Sequence, residues 1–430
     1  MASSKFSSIA QSMFPRILPQ REQAKIVNRI LANRLETVLP LAMREAGLDM
    51  WLIICQEDDF DPVFPTLIPV DTWCPILQIL IFYDLGQGKR VERINLSMTE
   101  TGDLYETPWK DPREHYKDQW PLLRQIILER NPKRIGINIG SVEWAAGGLT
   151  YNLYKQLVDS LPKGFANRLE SAEPLVTRWL STLTEEEINL YEEVTNIAHA
   201  LLAECYSRKA ITPNITTTDD LEWYYWQRST DLGLPVSFKP FFNTVRSNES
   251  KQRYGAEDKV IRPGDAIHSD VGIKYLRLNS DHQEWAYILR PGEEAAPEGL
   301  RHLMAEGNRL QDIFMSEFKQ GLTGNQMLHN ILDRARRENI PHPRIYSHNL
   351  GYFLHEPGPL IGLPWEQNNC EGRGEVKLED GYTFTMELSV EAPVPEWGGQ
   401  STRMSLEQDV VYTRGKCRTM DGRQTEFYLL

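Results

Sequence analysis

The feature that most restricts the fold of this chain is a glutamate inside a strongly apolar, strand-like run. Residues 382–390 read Tyr-Thr-Phe-Thr-Met-Glu-Leu-Ser-Val, with Glu387 next to the middle. A carboxylate inside a sheet is costly unless a cation or a proton neutralises it. The fold must therefore bring a cation or a proton to Glu387, unless the strand lies at an edge and the carboxylate faces water.

Further carboxylates lie in similar strand-like settings. Asp270 follows the turn sequence Pro-Gly-Asp, and Asp281 lies 11 residues further on. An antiparallel hairpin between the two strands would place both carboxylates on one face. Residues 403, 405 and 407 share one face of a later predicted strand, so Arg403 and Glu407 are expected to point the same way. Taken alone, either aspartate also fits a solvated turn.

Two histidines lie between these acidic stretches. Residues 346–359 read Tyr-Ser-His-Asn-Leu-Gly-Tyr-Phe-Leu-His-Glu-Pro-Gly-Pro, so His348 and His355 flank Gly351. A lone histidine is usually structural, but a pair around a glycine indicates a site wall whose backbone approaches a ligand closely. In chain order the set is Asp, Asp, His, Glu and Glu, and oxygen-rich sets of this kind bind Mn, Co, Zn or Fe ions. Four carboxylates can hold two such cations if some of them bridge.

Helical and strand-like segments alternate over the first part of the chain. This alternation is typical of an α/β domain, which we expect over residues 1–176. Over residues 177–430 longer helices are followed by short strand-like runs, which predicts an α+β domain. The predicted helices are 22–47, 122–130, 150–161, 184–206, 221–230, 298–319 and 323–338, and the early strands are 50–55, 73–83 and 133–139.

Composition narrows the class of protein. The 60 acidic residues exceed the 47 basic ones and give a formal net charge of −13, which argues against a nucleic-acid partner. Five cysteines, scattered and never in a CxxC pair, predict neither a disulfide framework nor a zinc finger. The most apolar window, residues 73–83, is too short to cross a membrane, and residues 1–10 lack the apolar core of a secretory signal. We therefore expect a cytoplasmic protein with no membrane or nucleic-acid partner.

The ordered set of residues resembles the pita-bread metallopeptidase family, which includes aminopeptidase P, prolidase, methionine aminopeptidase and the non-peptidase creatinase. The match rests on the Pro-Gly-Asp turn with both aspartates, the Ser-His-x-Leu-Gly and His-Glu-Pro segments, and the glutamates of Thr-Met-Glu-Leu and Ser-Leu-Glu-Gln-Asp. It covers residues 180–430. The resemblance implies a creatinase/prolidase-like α/β domain at the N-terminus, followed by an α+β pita-bread catalytic domain.

The resemblance also implies a role for each residue of the set. Asp270 would chelate one metal ion, His348 and Glu387 would chelate the other, and Asp281 and Glu407 would bridge them. Two divalent ions follow from this assignment, with Mn favoured over Zn, Co or Fe. The implied activity is that of an Xaa-Pro aminopeptidase or dipeptidase, which cleaves an amide bond of a small peptide or an amino-acid-like substrate. The family also implies a homodimer.

In the same analogy a metal-bridging water attacks the scissile carbonyl. Glu387 would relay the proton of that water to the leaving amine, and His355 would contact the substrate or its oxyanion. His268 and His282, which lie next to the predicted ligands, are expected to point to the opposite faces of their strands.

Four positions depart from the family pattern, and one is Leu388-Ser389, where the family usually carries Pro-Gly after the fourth ligand. Arg253 stands where the family peptidases carry a histidine, and Ser405 stands where they carry an arginine, although Arg403 lies on the same strand face. Glu284 replaces the arginine of the usual Asp-x-x-Arg sequence. We predict that Arg253 and Arg403 bind the substrate, because a guanidinium group pairs readily with a carboxylate. The alternative for Arg253 is an ordinary surface arginine.

These departures leave two further functions open. The metals could be kept for a different reaction, such as hydrolysis of a non-peptide C–N bond or a lyase-type step. The other alternative is a peptidase-like binding module that has lost its chemistry. Metal analysis separates the binding module from the peptidase and from the enzyme with a different reaction, because bound metal would count against a module without chemistry.

Overall fold

The computed structural model describes residues 17–109, 118–142 and 144–430. Two compact units divide the chain after residue 184, one comprising residues 19–184 and the other containing residues 185–430. The first ten residues, for which the sequence predicts no secretory signal, lie outside the described part. Within the described residues no helix is both long and apolar enough to cross a membrane.

The mixed order of helices and strands in residues 19–184 confirms the predicted α/β class. The domain boundary predicted after residue 176 falls inside the last helix of this unit, and the division into domains stays a prediction. The elements are α1 (Gln20–Ala46), β1 (Met50–Gln56), α2 (Phe64–Leu67), β2 (Leu77–Asp84), β3 (Val91–Asn95), α3 (Gln119–Arg130), β4 (Ile135–Ile137), α4 (Tyr151–Ser160), β5 (Leu169–Ser171) and α5 (Glu173–Ser181).

A five-stranded sheet in the order β3-β2-β1-β4-β5 organises this unit. Strand β1 pairs antiparallel with β2 and parallel with β4. Residues 50–55 of β1 are buried, as expected for a central strand that is covered on both faces. Helix α1 ends at the predicted stop signal: Gly47 has φ of 66°, and its N–H donates to Arg44 O.

Residues 185–430 combine long helices with several small sheets, as predicted for the α+β part. The elements are α6 (Glu185–Cys205), α7 (Thr218–Asp231), β6 (Phe241–Val245), α8 (Asn248–Tyr254), β7 (Ala266–Val271), β8 (Lys274–Tyr275), β9 (Leu278–Asn279), β10 (His282–Tyr287), α9 (Glu298–Ser316), α10 (Gly324–Arg337), β11 (Arg344–Tyr346), β12 (Tyr382–Thr385), β13 (Glu387–Val394), β14 (Gln400–Leu406), β15 (Asp409–Thr413), β16 (Lys416–Thr419) and β17 (Tyr428–Leu429).

Three of these sheets carry the residues that the sequence singled out. One has the strand order β17-β10-β7-β6, the second β11-β13-β14 and the third β12-β15-β16. Helices α9 and α10 bury their apolar faces in one core with the inner faces of these strands, including Leu303, Phe314, Val390 and Leu406. This packing fixes the strands, and with them the polar side chains that project from their other faces.

A buried arginine clamps the ends of two strands in this unit. Arg246 directly follows β6, and its guanidinium lies 2.7 Å from Asp265 Oδ2 and 3.1 Å from Asp258 Oδ2. Only 1% of Arg246 and 1% of Asp265 is exposed. Removal of one partner would leave an uncompensated charge in the interior.

We predict that Arg246→Met lowers the free energy of unfolding by about 3–5 kcal/mol, the usual cost of breaking a buried ion pair. Chemical denaturation followed by circular dichroism measures the change. The matched control is Arg336→Met, because Arg336 pairs with Asp333 while more than half of each side chain is exposed, and we expect a change of at most about 0.5 kcal/mol there. Equal effects of the two substitutions would contradict the assignment.

Candidate metal centre

The five predicted ligands come from strands that are far apart in the sequence. Asp270 lies on β7, and Asp281 directly precedes β10. His348 follows β11, Glu387 is the first residue of β13, and Glu407 directly follows β14. Apart from the partly exposed Asp270 and Glu387, these side chains are buried.

Strand register explains why the two aspartates meet. Strands β7 and β10 are antiparallel, with Asp270 opposite Gln283. Asp281 lies two residues before Gln283 and therefore points to the same face. Burial raises the pKa of Asp281, and the charge of Asp270 raises it further, so the two carboxylates are neighbours, and the predicted convergence on one face is what the structure shows.

A second register brings the glutamates together. Strands β13 and β14 are antiparallel, and the last pair of the ladder is Leu388 with Leu406. One step further along, Glu387 faces Glu407. The amide nitrogen of Gln283 lies 2.8 Å from Glu387 Oε1 and 2.8 Å from Glu407 Oε2, which joins this pair to β10.

Three of the five residues form a group with the geometry of a metal site. One ligand atom each from Asp281, His348 and Glu407 lies within 4.8 Å of the other two. His348 Nε2 is 3.7 Å from Asp281 Oδ2. Asp270 adjoins the group through Asp281, whose pKa is raised by burial and then by the charge of Asp270, and Glu387 adjoins it through Gln283.

The carboxylates raise one another's pKa. Burial raises the pKa of Asp270 to about 6, and burial with the charge of Asp270 raises the pKa of Glu387 to about 8. The pKa values of Asp281 and Glu407 lie well above their ordinary values for the same two reasons, burial first and neighbouring carboxylates second. Such a group is stable only if protons or cations reduce its charge.

The donor set fits a divalent cation. Asp270 Oδ1, Asp281 Oδ1 and Glu407 Oε1 are buried, and none of them has a hydrogen-bond partner among the described residues. Burial, followed by the charge of His355, lowers the pKa of His348 well below its ordinary value, which favours the neutral imidazole that binds metals. Unpartnered carboxylate oxygens beside a neutral imidazole are the donors that Mn, Zn, Co and Fe ions accept.

The predicted substrate-contacting residues occupy different places. The ring of His355 is exposed and lies 4.4 Å from the ring of His348, measured between centroids. Arg403 projects from β14, and its guanidinium is 3.3 Å from Glu391 Oε2 on β13. Arg253 is exposed on α8, with its guanidinium carbon 5.1 Å from the ring centroid of Tyr254. The roles of His355, Arg253 and Arg403 stay predictions.

The expectation that His268 points away from the ligands is wrong. His268 and Asp270 are two residues apart on β7, so they share a face. His268 Nε2 accordingly lies 2.9 Å from Gln283 Oε1. His282, one residue from Asp281, does not share the face of that ligand: its ring is 4.4 Å from the ring of His199.

Two contacts to the ligands were not predicted from the sequence. Gln283 contacts both glutamates, and Asp409 accepts a hydrogen bond from the backbone N–H of Asp281 at 3.3 Å. Alternation along β10 would have placed Gln283 on the face of Asp281. Nothing in the local sequence signals the contact of Asp409, because it joins residues that are distant in the chain.

A cavity of about 290 Å³ lies among strands β6, β7, β10 and β14. His268 and Trp285 line it from β7 and β10, and Arg403 and Ser405 line it from β14, with Lys251 of α8 also on the wall. His268 connects the cavity to Gln283 and hence to the glutamates. None of the five predicted ligands lines this cavity, which is linked to them through His268 and Gln283 and has cationic side chains on its wall.

Comparison with known proteins identifies the family. The sequence model of Metallopeptidase family M24 matches residues 189–414, which is more than half of the chain. A search of curated proteins finds no match.

Solved structures share the fold at low sequence identity. An X-Pro aminopeptidase from Thermotoga maritima aligns with a TM-score of 0.63 and 16% identity, over 91% of this chain and 100% of the other. An Xaa-Pro dipeptidase from Bacillus anthracis aligns at 0.59 and 18% identity, over 93% and 100%. A prolidase from Pyrococcus furiosus aligns at 0.52 and 15% identity, over 90% and 98%. The resemblance and the fold class predicted from the sequence are confirmed: the chain belongs to metallopeptidase family M24 and is a metal-dependent, peptidase-type hydrolase.

Proposed function

We propose that this chain is a two-metal hydrolase that cleaves an amide bond of a small peptide, with Asp270, Asp281, His348, Glu387 and Glu407 as metal ligands. The observation that carries the proposal is the buried group of Asp281, His348 and Glu407, whose ligand atoms lie within 4.8 Å of one another. The unpartnered oxygens of this group support the proposal, because buried carboxylates without partners are stable only with a cation or a proton, and the group offers several donor atoms to one cation.

Residues around the ligands supply the remaining chemistry. Divalent cations at such a site polarise a carbonyl oxygen and lower the pKa of water. Glu387 is the partly exposed glutamate of the set, so it can pass the proton of the attacking water to the leaving amine. The exposed ring of His355 stands against His348, where it can donate a hydrogen bond to a substrate carbonyl as charge develops on the oxygen.

The substrate end that lies beyond the scissile bond fits the cavity next to His268. Arg403 and Lys251 on its wall favour a polar or anionic group. The structural neighbours are named as X-Pro aminopeptidase, Xaa-Pro dipeptidase and prolidase, so Xaa-Pro peptides are the first substrates to test. Arg253, exposed on α8, would act at the outer rim.

A second reaction is favoured by the altered cavity wall. Ser405 stands where the family peptidases carry an arginine, and both Ser405 and Trp285 line the cavity. A short hydroxyl in place of a guanidinium removes a cationic contact and leaves room for a different group. The same ligands could therefore serve the hydrolysis of a non-peptide C–N bond or a lyase-type step.

Three finer expectations from the sequence complete the proposal. Mn²⁺ is the favoured ion, because four carboxylates and one imidazole form an oxygen-rich set. The family resemblance favours a homodimer. The five scattered cysteines, of which four are buried and none is paired, suit a reducing cytoplasm.

We predict that Asp281→Asn and Glu407→Gln each reduce bound Mn²⁺ by at least about tenfold, since even the loss of an outer partner of a metal ligand costs roughly 10–100-fold. Elemental analysis of the purified, desalted protein measures the change, and hydrolytic activity should fall with it. Glu338→Gln is the control, because Glu338 is exposed at the end of α10 and pairs with Arg334. Full metal content in both ligand variants would contradict the assignment.

We predict that the Mn²⁺-loaded protein hydrolyses at least one member of a panel of Xaa-Pro dipeptides and longer Xaa-Pro peptides. Release of the N-terminal amino acid, followed by mass spectrometry, is the measurement, and non-peptide C–N substrates form a second panel. Inactivity on every peptide with metal fully bound would reject the peptidase reaction. Turnover of the second panel alone would favour the alternative reaction.

We predict that removal of the metal lowers the thermal stability of the protein. A ligand that binds only the folded state stabilises it by about 2.7 kcal/mol at a concentration of 100 times its Kd. Here the cation also removes the repulsion among buried carboxylates. Differential scanning calorimetry with Mn²⁺ and after treatment with a chelator measures the shift in Tm. An unchanged Tm in wild type, or an equal shift in Glu407→Gln, would count against a metal at this site.

A further inference from the structure

Gln283 donates hydrogen bonds to two carboxylate oxygens that the proposed metal ions would use. Its Nε2 lies 2.8 Å from Glu387 Oε1 and 2.8 Å from Glu407 Oε2. An amide nitrogen carries two hydrogens, so both are donated to proposed ligands. Gln283 thus stands where a cation that bridged the two glutamates would stand.

The side chain of Gln283 is held in this orientation. Its Oε1 is 2.9 Å from His268 Nε2, and Nδ1 of the same ring is 3.0 Å from Asn243 Oδ1. The ring of His268 also packs on Trp285, with 4.8 Å between centroids. An amide oxygen can only accept, so the His268 tautomer with its hydrogen on Nε2 donates to Gln283 and directs the amide nitrogen at the carboxylates.

The backbone adds a further restraint. Gln283 N–H donates to Glu407 O at 3.2 Å, and Glu407 N–H donates to Gln283 O at 3.3 Å. This reciprocal pair joins β10 to the end of β14. Withdrawal of the Gln283 side chain therefore requires rotation of that side chain alone, because the main chain stays bound to Glu407.

Enough donors remain for one ion while Gln283 stays in place. Glu407 Oε1 and Asp281 Oδ1 have no hydrogen-bond partner in the described part of the chain. Together with His348 they belong to the three-residue group. Within the described residues no second group of three potential ligands is as close. A second ion would have to use Asp270 with Glu387, whose Oε1 already accepts from Gln283.

We propose that Gln283 competes with a cation for Glu387 and Glu407, so that this chain holds one divalent ion tightly and admits a second only when the Gln283 side chain withdraws. The inference rests on the proposed function and sharpens it: Gln283 becomes a positioning residue that sets the number of ions retained. An amide is neutral, so it satisfies hydrogen bonds without removing the negative charge, and its loss favours a second cation.

The test compares Mn²⁺ content in the full chain and in a variant that keeps side-chain volume without the amide, Gln283→Met. Each protein is loaded with excess Mn²⁺, desalted and analysed for Mn per chain, and isothermal titration calorimetry follows the affinities. We expect one Mn²⁺ in wild type, with the second bound at least tenfold more weakly, and two in Gln283→Met. Electron paramagnetic resonance should show a spin-coupled Mn²⁺ pair in the variant alone.

Gln408→Met is the matched control. Gln408 is also buried, its Nε2 lies 3.1 Å from the carboxylate of Glu284, and its Oε1 lies 2.9 Å from His199 Nε2. Its partners are not proposed ligands, so its Mn²⁺ content should equal that of wild type. His268→Phe keeps a ring but removes the donor that orients Gln283. We expect this variant to bind the second ion more tightly than wild type but less tightly than Gln283→Met. It provides the test if Gln283→Met does not fold.

The outcomes separate this inference from the proposed function. Two equally tight ions in wild type, or one ion in both wild type and the folded Gln283 and His268 variants, would overturn the role of Gln283 and leave the metal site intact. A gain of the second ion in Gln408→Met as well would also overturn it. No Mn²⁺ in wild type would overturn the proposed function and this inference together.

Discussion

Four carboxylates share one largely buried site, and the repulsion among them is the main electrostatic constraint on the C-terminal unit. Asp270, Asp281, Glu387 and Glu407 enter from two antiparallel strand pairs, β7 with β10 and β13 with β14. Burial and mutual repulsion raise their pKa values, so this part of the fold is costly unless the negative charge is reduced. Within the described residues several oxygens of this site have no hydrogen-bond partner, and a cation bound to them would offset the cost.

A buried polar network lies near the ligands and is centred on His199. His199 Nδ1 lies 2.9 Å from Asp421 Oδ2, and its Nε2 lies 2.9 Å from Gln408 Oε1. Burial alone would lower the pKa of His199, but the hydrogen bond to Asp421 and the charge of Glu284 raise it to about 9. A cationic His199 therefore balances carboxylates next to the site. Connected hydrogen bonds of this kind hold helix α6 against the strands of this unit.

Periodicity and end signals made much of the fold predictable from the sequence. The stop of α1 at Gly47 and the apolar run of β1 were predicted because glycine accepts positive φ and because central strands are apolar throughout. The shared face of Asp270 and Asp281 followed from period-2 alternation across a hairpin. The same rule was misapplied to His268, which lies two residues from Asp270 and shares its face.

Long-range contacts were beyond prediction from local sequence. Asp409 binds the backbone of Asp281 across 128 residues, and His199 reaches Gln408 across 209. Their partners depend on how separate sheets pack, which no local pattern encodes. The contacts of Gln283 with two glutamates were predictable in part. Alternation along β10 predicts the face on which Gln283 lies, but its partners depend on how β10 packs against β13 and β14.

The central claim is that the buried carboxylates hold a divalent cation. Anomalous X-ray diffraction at the Mn edge, from crystals grown with Mn²⁺, tests this claim most directly. We predict a strong anomalous peak within bonding distance of Asp281, His348 and Glu407. Well-ordered side chains at these three positions with no anomalous peak between them would contradict the claim.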